Sequence, residues 1–213
     1  MRLPQRENIE ASAGVDQDPL PYYYLPIIGS FYRRRLSLAL ELMGPRKVGS
    51  LLEIGYGSGI LLPELSTRCG RLVGIDVHHS TNLVQRFLNR ENVSVNLCSA
   101  SVTDIPFRDE SFDCVVCLSV LEHVLTLSKA IIEIKRVLKQ GGAAIIGFPT
   151  RNTISSLCIR LLGFNPEKQH PNDHRVLLNQ FHKLFPPQRI VFYPSWFSSN
   201  YALYAVLECV KHG

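Results

Sequence analysis

The stretch Leu51-Leu52-Glu53-Ile54-Gly55-Tyr56-Gly57-Ser58-Gly59 begins as an apolar run and ends in three alternating glycines. The run predicts a short buried strand over Ser50–Gly55, and residues 59–68 suit a helix. Glycines at the turn between them let the backbone fold tightly and let a ligand approach closely. In a sheet built of strand–helix units, the first such turn lies at the topological switch point, where ligands bind. The spacing is G-x-G-x-G. It lacks the G-x-x-G ending that aims a helix N-terminus at a dinucleotide pyrophosphate.

The alternation continues towards the C-terminus. Arg71–Asp76 reads as a second strand, Ser80–Arg90 as a helix capped by Ser80, and Val93–Ser99 and Phe112–Leu118 as further strands. A polar loop with Pro106 spans Thr103–Glu110. Residues 126–140 carry Leu127, Ala130, Ile131, Ile134, Val137 and Leu138 on one face, a helix that Gly141-Gly142 is expected to end. Ala143–Phe148 is a fifth strand. Strands alternating with helices predict a doubly wound, mostly parallel sheet with helices on both faces. After Pro149 the pattern changes: residues 152–162 look helical, and a helix through Phe181 and Leu184 is broken by Pro186-Pro187. Arg189–Tyr193 and Tyr201–Val210 predict a C-terminal antiparallel hairpin, which brings the sheet to seven strands. On the N-terminal side, residues 1–20 form a polar lead-in. Ser30 is expected to cap a helix through FYRRRLSLALELM that Gly44-Pro45 stops. Arg33, Arg34 and Arg35 within it are expected to form a solvated face.

Composition narrows the function classes. The chain has 213 residues, enough to bury a full core, and its 46% hydrophobic and 19% charged content excludes a disordered segment. It carries 23 basic and 18 acidic residues, a formal charge of +5. Residues 151–213 hold 7 basic and 3 acidic groups, while residues 51–150 hold 9 and 10. A surplus this small, without a dense Lys/Arg stripe, argues against a nucleic-acid partner. Peripheral contact with an anionic membrane surface stays open. Cys114-Val-Val-Cys117 has C-x-x-C spacing, but it lies inside an apolar strand, where residues three apart face opposite ways. With no second C-x-x-C, no structural zinc site is expected, and the six cysteines read as small buried hydrophobes in a reducing compartment. The N-terminus shows no secretory signal, and no apolar stretch reaches the ~18 residues of a membrane span, so a soluble, cytoplasmic protein is expected.

Two acids sharpen the glycine turn. Glu53 interrupts an apolar strand, where a carboxylate is costly unless it is bonded. Asp76 ends the second strand 17 residues after Gly59, placed to accept both hydroxyls of a ribose. Glu53-Ile-Gly55-Tyr-Gly57-Ser-Gly59 resembles motif I of the class I S-adenosylmethionine-dependent methyltransferases. Gly74-Ile75-Asp76, Asp104-Ile105-Pro106-Phe107 with Ser111-Phe112-Asp113, Leu121-Glu122-His123-Val124 and Glu133 to Gly142 resemble the motifs that follow it in the small-molecule and lipid subgroup (methyltransferase type 11-like). The resemblance covers residues 48–149.

That resemblance implies a Rossmann-like fold with S-adenosyl-L-methionine as cofactor. It implies that Gly55, Gly57 and Gly59, with Tyr56 between them, wrap the methionine and ribose. Glu53 would support that loop, and Asp76 would bind the ribose with Val77 against adenine. Ser101 stands where the family usually has an aspartate that accepts from the adenine amine, and the Val102 amide is a further donor to the ring. Leu118 and Ser119 would lie beside the sulfonium. The implied organisation is a single methyltransferase domain: 1–47 lead-in and helical cap, 48–149 cofactor core, 150–188 helical acceptor-side segment, and 189–213 terminal hairpin.

Methyl transfer needs a general base only when the acceptor must lose a proton. His174, His170 and His123 are the candidates, because histidine titrates near neutrality. Loop anchoring and helix capping by Asp173 are the alternatives. A related E-x-x-E-H pattern binds a divalent metal elsewhere, but Ser119 replaces its first Glu, so no metal is expected. The expected acceptor is a small molecule or lipid-like compound held between residues 20–45 and 151–185, with Tyr22, Tyr23, Tyr24, Phe31 and Trp196 as candidate lining. The other readings are a cofactor-binding module without turnover, acting as a regulatory partner subunit, and a nicotinamide-dependent oxidoreductase. No N/D-P-P-Y tetrapeptide of base-amine methyltransferases is present.

Overall fold

A computed structural model describes residues 3–9, 19–45, 47–152, 172–195 and 201–212. Seven strands form one sheet: β1 Val48–Ile54, β2 Cys69–Asp76, β3 Asn96–Ser99, β4 Phe112–Leu118, β5 Leu138–Pro149, β6 Pro187–Tyr193 and β7 Tyr204–Val210. Their order is β3-β2-β1-β4-β5-β7-β6, with β1 to β5 parallel and β7 antiparallel to both β5 and β6. This is the predicted doubly wound, mostly parallel sheet with its terminal hairpin. Strand order reverses between β1 and β4, so the carboxyl ends of β2, β1 and β4 line up at the switch point.

The helices are α1 Arg6–Ile9, α2 Leu20–Tyr23, α3 Pro26–Met43, α4 Leu62–Ser66, α5 Thr81–Arg90, α6 Leu127–Val137 and α7 His174–Leu184. Two apolar clusters cover the sheet. Leu51, Cys114, Val116, Ile145 and Val206 join α3, α4 and α5 on one face; Leu52, Ile54, Val115, Cys117, Ile146 and Leu207 join α6 and α7 on the other. Cys114 and Cys117 thus face opposite ways, as strand periodicity requires, and burial pushes the Cys114 thiol up to about 12. Each large side chain buried here is worth roughly 1.5–3 kcal/mol.

Several boundaries move from their expected places. The helix over 126–140 ends at Val137, and Gly141-Gly142 lie inside β5 rather than capping it. Leu138 already pairs with Phe112, and the next β4 partner, Cys114, meets Ala143. The intervening residues bulge, with Gly141 at φ 74° and its N–H donated to Lys211 O. The helix of 59–68 shrinks to α4 because the glycine loop consumes its first residues. α3 starts at Pro26, with proline in its first turn. Ser30 lies within α3 and donates to Ile27 O instead of capping. Ser80 does sit at the N-cap of α5, without a side-chain cap bond. The expected helix 152–162, most of the lead-in, Cys158, His170 and Trp196 lie outside the described residues.

Candidate active site

The glycine turn leaves β1 at Ile54, and Gly55 N–H donates to Ile75 O of β2. Gly55 has φ 76°, and a Cβ there would collide with Val120 just beyond β4, so glycine is required twice over. Gly57, at φ 49°, donates its N–H to Asp76 Oδ2 at 2.8 Å. Asp76 Oδ1 accepts from Val77 N at 2.7 Å. The Asp76 carboxylate therefore spans the gap between the two turns. Gly59 N–H closes the loop onto Tyr56 O at 2.7 Å.

The other expected cofactor residues divide by position. Val77 is 68% exposed, an apolar side chain at the rim beside Asp76. Glu53 is buried in β1, between Gly74 and Val116. Tyr56 is buried too, with its hydroxyl 3.1 Å from Thr81 Oγ1, so its side chain serves packing. Ser101 Oγ is engaged by Thr103, accepting its N–H at 3.2 Å and pairing with its hydroxyl at 2.8 Å. Val102 sends its side chain into the core. Leu118 ends β4 opposite Gly147.

Ser119 follows in the left-handed region, φ 58°, with its N–H on Gly147 O. A non-glycine residue held there is strained, and such strain clusters at functional sites. Its hydroxyl is 2.9 Å from Tyr204 Oη of β7 and accepts from Arg35 Nη1 at 3.2 Å. This corrects the expected solvated arginine face. Arg34 is at the surface and pairs with Glu41, whereas Arg35 turns inward. Its guanidinium lies 4.4 Å from the Tyr32 ring centroid and 5.3 Å from that of Tyr204. Arg35 Nη2 donates to Tyr23 Oη at 2.9 Å, and Nε is shut from solvent without a hydrogen-bond partner. No carboxylate among the described residues is bonded to it.

Glu122 lies in the turn after β4 and is 1% exposed. Burial pushes its carboxyl up to about 8, although Arg35 pulls the other way. One of its oxygens, Oε2, is buried without a partner. Burial thus favours its protonated form, in which it offers Arg35 less charge.

The histidines part company. His123 is exposed on the turn beyond β4. His174 begins α7 and is buried; its Nδ1 accepts Arg151 N–H at 3.0 Å, with Asp173 beside it. Burial lowers its pKa despite Asp173, which also caps α7 by accepting from Arg175 N. Asn172 fastens this segment to the turn after β4 by donating to Leu121 O and Val124 O. Sequence reasoning passed over Arg35, Tyr204, Glu122 and His78. Arg35 had a signal, since it interrupts an apolar helix pattern; Tyr204 had none.

Residues 52–146 match the profile of a family described as Methyltransferase domain. An uncharacterized protein of Methanocaldococcus jannaschii is 36% identical over 111 residues, covering 52% of this chain and 45% of that protein. A ubiquinone biosynthesis O-methyltransferase of Alkalilimnicola ehrlichii is 31% identical over 125 residues, 58% of this chain and 51% of that protein. The chain spans about half the length of these curated relatives. Among solved structures, the N-methyltransferase NodS of Bradyrhizobium japonicum in complex with S-adenosyl-l-homocysteine superposes with a TM-score of 0.67 at 21% identity, covering 96% of this chain and 97% of that one. No described helix is long and apolar enough to cross a membrane. Motif order, sheet order and domain match agree: residues 52–146 are similar to a methyltransferase domain, on a sheet with the fold of the solved methyltransferase it superposes on.

Proposed function

We propose that the protein transfers a methyl group from S-adenosyl-L-methionine to a small-molecule or lipid-like acceptor in the cytoplasm. One observation carries the cofactor half: Asp76, the glycine loop and the unpaired Arg35 converge at the carboxyl ends of β2, β1 and β4. These groups fit the cofactor's parts. Asp76 accepts from the ribose hydroxyls, the glycine loop admits the chain that joins ribose to methionine, and Val77 and the Val102 amide flank adenine. Arg35, whose charge no described carboxylate neutralises, meets the methionine carboxylate. When bound, S-adenosylmethionine supplies an electrophilic methyl on a sulfonium. The chain's own task is to orient that group and exclude water. Tyr204 and Arg35 hold Ser119 in place next to Leu118, where the methyl end belongs.

The acceptor half rests on the aromatic residues of α2 and α3, where Tyr22 stacks on Tyr32 at 5.7 Å and Phe31 meets Tyr193 at 6.0 Å. The ubiquinone-pathway relative supports an acceptor of that character. Residues 48–149 serve as the cofactor core, with 20–45 and 150–188 on the acceptor side. Calorimetry with S-adenosylmethionine, followed by assay of S-adenosylhomocysteine release with lipophilic phenols and amines, tests both halves. No heat at millimolar cofactor sinks the first.

A second reading, a cofactor-binding module without turnover, is favoured by the histidines. His174 Nδ1 is taken by a backbone amide, and His123 points to solvent-exposed surface. Tight cofactor binding with no product from any acceptor class would select it.

A further inference from the structure

The turn between β2 and α5 holds a histidine with both ring nitrogens in use. His78 Nδ1 accepts Ser80 N–H at 3.0 Å, which leaves the proton on Nε2. Nε2–H then donates to Gly57 O at 3.1 Å and lies 3.7 Å from Asp76 Oδ2. The imidazole stands edge-on to the buried Tyr56 ring, with centroids 4.9 Å apart, which limits its rotation. Gly57 is therefore gripped at both ends, its N–H by Asp76 and its C=O by His78.

We propose that His78 is a positioning residue for the cofactor, locking the middle glycine of the loop to the Asp76 turn through Nε2–H. The inference rests on the cofactor reading above. Gly57 sits in the left-handed region, φ 49°, and glycine itself does little to hold one conformation. A loop free to rotate there would lose the relative placement of its backbone and the Asp76 carboxylate. Binding would then have to restore that placement, at a loss of affinity. His78 makes the lock before any ligand arrives. Tyr56 Oη on Thr81 Oγ1 adds a second tie from the same turn.

A purely structural role is also available to His78, through its bond to Ser80 N–H at the start of α5. The two roles use different nitrogens, and amides separate them. Asparagine Oδ1 reproduces the Nδ1 acceptor, while glutamine Nε2 reproduces the Nε2–H donor. The experiment is calorimetric titration of S-adenosylhomocysteine into wild type, His78→Ala, His78→Asn and His78→Gln, with the ligand-free melting temperature of each.

His78→Ala is expected to bind about five- to tenfold more weakly, the size of one net hydrogen bond. His78→Gln should recover affinity to within about twofold of wild type. His78→Asn should bind as weakly as His78→Ala while melting higher than it. Affinity restored by Asn but not Gln, or undiminished in His78→Ala, overturns the proposal. If His78→Ala does not fold, the Asn and Gln pair decides. A wild type that gives no heat overturns the cofactor reading, and this inference with it. A wild type that binds, with all variants equal to it, overturns the His78 lock alone.

Discussion

The glycine-loop side of the site and the α3–β7 side hold their polar groups by different means. On the first, Gly55, Gly57 and Asp76 lie within two consecutive strand-to-helix turns, and nearly every bond has a backbone group as at least one partner. On the second, Tyr23, Arg35, Ser119, Glu122 and Tyr204 come from five separate elements and bond or couple through side chains. The first side is shaped by backbone geometry and holds an anionic acceptor at its rim. The second is a buried polar cluster whose cation lacks a described counter-ion, under aromatic rings. A zwitterionic methionine attached to a nucleoside asks for such a division: an anionic acceptor for the ribose hydroxyls, a positive charge for the carboxylate.

The comparison can be broken most severely at Asp76. Asp76 ends β2 and ties down Gly57, so Asp76→Ala should lower the ligand-free melting temperature. Loss of two charge-assisted bonds to ribose should weaken cofactor affinity by about 3–5 kcal/mol, roughly a hundred- to four-thousandfold. Titration of Asp76→Ala with S-adenosylhomocysteine checks this, and unchanged affinity removes the ribose site from β2.

Glu122 offers a pH test confined to the second side. The folded protein holds its proton up to about pH 8, whereas an unfolded chain releases it near 4.5. Between those values the folded state binds more protons, so stability falls as pH rises. Glu122→Gln should abolish that fall, which is on the order of 5 kcal/mol at most. Urea denaturation of both proteins at pH 5 and pH 8.5 measures it; parallel pH dependence would show that Glu122 ionises normally.

Arg35→Met separates binding from folding. Replacing a buried charge with an apolar side chain of similar size is often neutral or stabilising. The variant should therefore melt no lower than wild type, yet bind the cofactor roughly ten- to a hundredfold more weakly, by the loss of about 1.5–3 kcal/mol. A lower melting point with unchanged affinity would make Arg35 a scaffold residue. The smallest effect is expected for Tyr204→Phe. It removes the hydroxyl on Ser119 and should cost about 1 kcal/mol of stability with cofactor affinity nearly intact.

The two sides were unequally legible beforehand for the same reason that they differ. Glycine at Gly55 and an acid at Asp76 are demanded by local backbone geometry, and their spacing is visible in the chain. The left-handed Ser119 left no mark, since serine gives no hint of a positive φ. Gly141-Gly142 misled, because glycines serve a bulge as well as a helix end, and pairing of Leu138 with Phe112 settled which.

By itself the sequence determined the strand–helix alternation, the parallel sheet with its terminal hairpin, the position of the glycine turn and the burial of Cys114, Cys117 and Cys209, whereas Cys69 and Cys98 are only half-buried. Each follows from periodicity or from residue types within a few positions of one another. Tertiary structure alone decided which arginine of Arg33-Arg34-Arg35 turns inward, that Tyr204 reaches Ser119 across 85 residues of chain, and that His78 closes on Gly57. Those outcomes depend on how α3 packs against β5 and β7 and how two turns meet above the sheet. Such contacts join residues far apart in the chain, and no local pattern encodes them.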